Sequence, residues 1–203
     1  MAIDAGGTQK CIEGEVRQIV AFVEETTGLN SRWNGSVRIV DADTAALMSA
    51  VPFFAKKDWG CGITVLQSIL SGDGRWRSLL HEVLHSVSVG LTQESYDRFA
   101  PWEEAIVEGL QRLYRPALLA RLNIDAVESR AAAPESAWRF NRALDALLRI
   151  AAGRPDVPTQ KFLEGMLRTP LPNRPAFAFE WGRQSTDFGR FKHVYAAASG
   201  LLR

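Results

Sequence analysis

Apolar positions recur at alternating three- and four-residue intervals over several stretches of this chain, and that period predicts most of its helices. Residues 13 to 28 carry Val16, Ile19, Val20 and Val23 on one stripe, with Gly28 as the stop. Val37, Ile39 and Val40, entered from the turn pair Asn34-Gly35, read instead as a strand. Asp41 and Asp43 follow it, just ahead of Ala45-Ala46-Leu47-Met48. Two close carboxylates can hold a cation, but at this position a turn and helix cap is the favoured reading. Ile63 to Ser68 is a β-branched run bounded by glycines, predicted as a second strand, with the turn Ser71-Gly72-Asp73-Gly74 behind it.

Leu79, Leu80, Val83, Leu84 and Val87 then form the apolar stripe of a buried helix that Asp73 could cap. Another helix opens at Pro101, a residue suited to a first turn, and continues through Ile106, Val107 and Leu110. Beyond it the pattern is almost wholly helical. Residues 112 to 122 are rich in Leu and Arg and are expected to break or restart at Pro116. Residues 134 to 152 form a helix through Trp138, Leu144, Leu147, Leu148 and Ile150 that Gly153 ends, and a shorter one covers about 158 to 168. Thr169 to Pro175 reads as a rigid extended connector. The predicted class is therefore α+β in a single domain. A small N-terminal β-sheet with helices (1–90) ends in the buried helix, and a helical C-terminal half (91–203) follows.

Composition narrows the partners. With 203 residues, 46% apolar and 23% charged, the chain can bury a substantial core. A net charge of +1 supplies no basic field for a polyanion, so nucleic acid is not an expected partner. No uninterrupted apolar stretch of about eighteen residues appears, and Met1 to Gly7 lack the basic and apolar regions of a signal peptide, so no membrane partner is expected either. Cys11 and Cys61 are too few and too far apart for a disulfide framework. A reducing, cytoplasmic location is the expectation.

The chemistry lies in the buried helix. His81-Glu82-Val83-Leu84-His85 places two imidazoles four residues apart on one face, able to reach one ion, with a carboxylate beside the first. This is the H-E-x-x-H pattern of a zinc site, the alternative being a core helix with two hydrogen-bonded histidines. Catalytic zinc takes three protein ligands and keeps a fourth position for water. The next helix offers Glu103, Glu104 and Glu108. Glu104 and Glu108 lie one turn apart on one face, so one could ligate while the other accepts a ring N–H of a ligating histidine; Glu103 is rotated away.

His85, eighteen further residues and then Glu104-Ala105-Ile106-Val107-Glu108 together resemble the gluzincin class of zinc metallopeptidases, with thermolysin-like proteases the nearest comparison. The resemblance covers roughly residues 79 to 110. It implies zinc on His81, His85 and Glu104, with Glu108 supporting the first histidine and Glu82 as general base. It also implies a peptide or protein substrate whose bond is hydrolysed by an activated water. In that class a tyrosine between the two helices helps hold the oxyanion, and Tyr96 lies at a comparable distance; a packing role for a loop tyrosine is the alternative. His193 and Tyr195 supply other candidates for that task, His193 being the only histidine outside the motif; a partly buried surface histidine without that role is the favoured alternative. The strand before the metal helix is typically a sheet edge that pairs with substrate, which implies free backbone groups over Ile63 to Gln67; an interior strand is the other reading. Two further classes remain open. One is a zinc hydrolase of a non-peptide amide or ester, the other a regulatory or binding module that retains the metal site.

Overall fold

The structure, a computed structural model, describes residues 5–49, 52–125, 140–185 and 187–202. The helix predicted over 134 to 152 is therefore seen only from Asn141, and Trp138 lies outside the described residues. The fold is α+β, with a three-stranded mixed sheet and a helical C-terminal half. Two compact units are formed by Met1–Val87 with Tyr114–Pro134 and by Ser88–Leu113 with Glu135–Arg203.

In the first unit, helix α1 (Ala5–Thr27) begins earlier than the apolar stripe suggests and buries Ile12, Val16, Ile19, Phe22 and Val23. Gly28 ends it with φ +69°, its N–H returning to the Glu24 carbonyl, a left-handed stop open to glycine at little cost. Strand β1 (Val37–Val40) follows, then helix α2 (Ala42–Met48), whose N-cap is Asp41. The Asp41 carboxylate accepts from the Thr44 N–H at 2.8 Å, and the side-chain and backbone hydrogen bonds with Thr44 hold its pKa below the ordinary aspartate value. The cap reading of the Asp41/Asp43 pair therefore holds.

Strand β2 (Ala55–Lys57) has no apolar alternation and was not predicted. It forms a hairpin with β3 (Ile63–Leu66), which ends two residues before the predicted limit and passes into a 3-10 turn over Gln67–Ile69. The sheet order is β1-β3-β2, with β1 parallel and β2 antiparallel to β3. This corrects the edge expectation for Ile63 to Gln67: β3 is the interior strand, its backbone engaged on both sides. Ile63 and Val65 are almost fully buried, as an interior position requires. Helix α3 (Gly74–Val87) packs against α1 and β2, and every residue from Trp76 to Val87 is buried. Burial of Leu79, Leu80, Val83 and Leu84 contributes about 1.5–3 kcal/mol each and offsets the cost of taking His81, Glu82 and His85 out of water. The C-terminal end of α3 is tied to the loop after α1, where Ser86 accepts the Arg32 N–H on its carbonyl and meets the Ser31 hydroxyl at 2.7 Å.

Helix α4 (Gln93–Arg121) starts earlier than predicted, so Tyr96 lies in its first turn rather than in a loop. The reason is local: Thr92 Oγ1 accepts the Ser95 N–H and Ser95 Oγ accepts the Thr92 N–H, a reciprocal cap. The helix kinks at Phe99 (φ −128°, ψ 22°), just before Pro101, which cannot donate to the preceding turn. Pro101 thus reopens a helix, as expected. The break expected at Pro116 does not occur; the helix runs through to Arg121. Buried Tyr114, Leu118 and Leu119 surround Pro116 in sequence, and their packing, including Tyr114 edge-on to Phe22, offsets the one lost hydrogen bond.

In the second unit, α5 (Asn141–Ala151) packs on α6 (Thr159–Arg168), α7 (Arg174–Arg183) and α8 (Phe188–Ser199). Leu144, Leu147 and Ile150 face inward as predicted, whereas Leu148 is 37% exposed. The connector Thr169 to Pro175 is not extended throughout: Leu171–Asn173 make a 3-10 turn and Pro175 already sits in the first turn of α7. Leu171 is fully buried and its N–H bonds the Val89 carbonyl. Pro170 closes on Gly90, where φ is +69° and a Cβ would lie 3.1 Å from the proline ring. Among the described residues no helix is long and apolar enough to cross a membrane.

Candidate metal centre

Helix α3 presents the two imidazoles one turn apart, His81 7% and His85 6% exposed. Their Nε2 atoms face each other at 3.2 Å, with ring centroids 4.8 Å apart and planes at 76°. Two nitrogens so disposed can share one proton, or both can give their lone pairs to a cation. Glu82, also buried, turns toward β2 instead, and its Oε2 accepts the Lys57 backbone N–H at 2.6 Å. No signal in the sequence could have named this partner, because the donor is a main-chain group of an unpredicted strand.

On α4 the three carboxylates separate as the helical rotation predicts. Glu104 is 8% exposed and accepts a short hydrogen bond from the Tyr96 hydroxyl. Glu108, fully buried, accepts from Arg112 Nε at 2.9 Å, and Arg112 in turn donates to Asn141. Glu103 points elsewhere. It forms a fully buried ion pair with Arg174 and accepts from the Ser88 hydroxyl at 2.8 Å, while Arg174 also bonds the Thr169 carbonyl. Sequence reading missed this network, since nothing local links Glu103 to Arg174.

The ligand atoms of His81, His85 and Glu104 all lie within 4.8 Å of one another. No other group of three or more His, Cys, Asp or Glu able to hold an ion occurs among the described residues. Zinc bonds of about 2.0–2.1 Å in tetrahedral array put neighbouring donors about 3.3 Å apart, close to the observed Nε2 separation. Two neutral nitrogens and one carboxylate suit zinc and also other divalent transition ions, so the donor set fits the metal without selecting it. Of the remaining candidates, His193 is exposed on α8, and the Tyr195 hydroxyl donates to the Pro175 carbonyl at 2.8 Å. Cys11 is exposed and Cys61 partly so, both as free thiols. Comparison of the chain with protein-family models, curated proteins and solved structures gives no match.

Proposed function

We propose that this chain is a gluzincin-type zinc metallopeptidase in which His81, His85 and Glu104 hold the metal and Glu82 is the general base. The observation that carries the reading is the convergence of two imidazole nitrogens and a carboxylate oxygen within 4.8 Å, on the motif whose second residue is a buried glutamate. Zinc held there would lower the pKa of a water toward about 7 and polarise a substrate carbonyl. Glu82 then has two tasks. Its Oε2 is held by the Lys57 amide, and its Oε1, with no partner among the described residues, takes the proton as water attacks. The same carboxyl hands that proton to the leaving amine.

Tyr96 is the preferred oxyanion donor, supported by its hydrogen bond to Glu104, whereas His193 is exposed. In that role its hydroxyl exchanges the Glu104 carboxylate for the substrate oxygen, an interaction worth about 3 kcal/mol in the transition state. Glu108, paired with Arg112, is assigned to supporting the ligand sphere. The strand edge that borders Glu82 belongs to β2, so the extended peptide is assigned to β2 and not to β3. The two free thiols accord with a reducing, cytoplasmic setting.

Metal analysis of the purified chain, with digestion of a peptide library by wild type and Glu82→Gln, tests the reading. Stoichiometric zinc in both, and cleavage by wild type alone, is expected, because an amide cannot accept the proton of water. A chain that fails to take up zinc after chelation, or an active Glu82→Gln variant, would remove the mechanism.

A further inference from the structure

We propose that Lys56 selects an acidic side chain in an extended peptide docked along the outer edge of β2, which no other strand pairs among the described residues. The inference rests on the peptidase reading for its context but concerns residues outside the metal centre. The Leu66 N–H bonds the Phe54 carbonyl and the Asp58 N–H bonds the Gly62 carbonyl, both at 2.8 Å. Positions 54 and 58 therefore face β3, and by the alternation of an antiparallel pair so does 56, whereas the peptide groups of Ala55 and Lys57 face outward. The outward Lys57 N–H is already bonded to Glu82. The Ala55 N–H and carbonyl are thus the next main-chain groups along the same edge. A strand added there lies in line with the Glu82 carboxylate.

Side chains alternate across the pleat, so Lys56 shares a sheet face with its register partners Thr64 and Arg38. The row Arg38-Thr64-Lys56 sets two cations on one face about 10 Å apart, two strand spacings. Neither cation has an ion-pair partner among the described residues. Asp58, two residues along on the same face, accepts from the Thr64 hydroxyl at 2.9 Å, which directs its carboxylate toward β3 and away from the outer edge. Lys57 points to the opposite face, its Nζ lying 5.0 Å from the Trp59 ring centroid. An added strand places one side chain directly beside Lys56 on this face, nearer to Lys56 than to Asp58, whose carboxylate is turned to Thr64. Opposite charge at such a cross-strand pair is favourable and like charge unfavourable. The selected residue falls within about two positions of the bond presented to Glu82, since each residue advances about 3.3 Å.

The test measures binding of fluorescein-labelled extended peptides, identical except for Glu or Lys at single scanned positions, to the zinc-loaded Glu82→Gln protein by anisotropy. At one position Glu should bind about 2- to 10-fold tighter than Lys at low salt, and the ratio should fall toward one in about 1 M salt. Lys56→Gln should erase the preference and Lys56→Glu should invert it, with β-sheet circular dichroism unchanged. A Glu preference that survives in Lys56→Glu, no preference at any position, or no binding of either peptide overturns the inference. Parallel cleavage assays on wild type separate the two readings. Cleavage without acidic preference leaves the peptidase standing and removes the role of Lys56. Lys56-dependent binding to a protein that cleaves none of the peptides keeps the docking edge and removes the peptidase.

Discussion

Glu104→Ala deletes the carboxylate that completes the three-ligand group, and its effect can be read without any substrate. A ligand that binds only the folded chain stabilises it by RT ln(1 + [L]/Kd), about 2.7 kcal/mol at a hundredfold excess over Kd. For a chain of 203 residues each kcal/mol moves Tm by about 2–4 °C, so zinc should raise the wild-type midpoint by about 5–11 °C. Glu104→Ala should lose that shift almost completely. Glu108→Ala should keep part of it, because Glu108 bonds Arg112 and is assigned to supporting the ligands. A loss of about 10- to 100-fold in affinity leaves about 0.4–1.4 kcal/mol of zinc stabilisation at the same concentration, a shift of about 1–6 °C. Removing Glu108 also strips Arg112 of its carboxylate and lowers the metal-free midpoint, so the readout is the zinc-induced difference. Differential scanning fluorimetry on chelator-stripped protein with graded zinc measures it. Wild type without a zinc shift, or Glu104→Ala retaining one that Glu108→Ala loses, refutes the ligand assignment and moves the third ligand one turn along α4.

Three further outcomes follow from the same contacts. Tyr96→Phe removes the donor on Glu104 and should weaken zinc about 10- to 100-fold in chelator competition; unchanged affinity would detach Tyr96 from the metal centre. Arg174→Met strands the Glu103 carboxylate at a fully buried position and should cost about 3–5 kcal/mol in urea unfolding, with Glu103→Leu in the same chain recovering most of it; a single-variant loss under about 1 kcal/mol contradicts the buried pair. Gly182→Ala drives a Cβ into the Phe191 ring and should lower stability by about 1–3 kcal/mol, partly restored by Phe191→Leu; a neutral Gly182→Ala would dismiss the close packing of α7 on α8.

The sequence by itself determined what short-range periodicity can carry. The stripe through Val16, Ile19 and Val23, the run Val37–Val40, the helix Thr159–Arg168 and the capping Asp41 each depend on residues within a few positions of one another. The i, i+4 spacing of His81 and His85 is of the same kind, since the α-helix alone sets two imidazoles on one face. Even the reciprocal cap that begins α4 at Thr92 and Ser95 was written locally, in a form that departs from the usual Glu or Gln partner. Tertiary structure decided everything that depends on who the neighbour is. Strand β2 has no pattern of its own and exists because β3 lends it hydrogen bonds, which in turn makes β3 interior and puts the edge of the described sheet beside Glu82. Pro116 stays inside a helix because side chains around it are buried, and Glu103 has its charge satisfied by an arginine 71 residues away in sequence. Edge or interior, ligand or ion-pair partner, are properties of residues brought together through space, and the chain's local pattern holds no record of them.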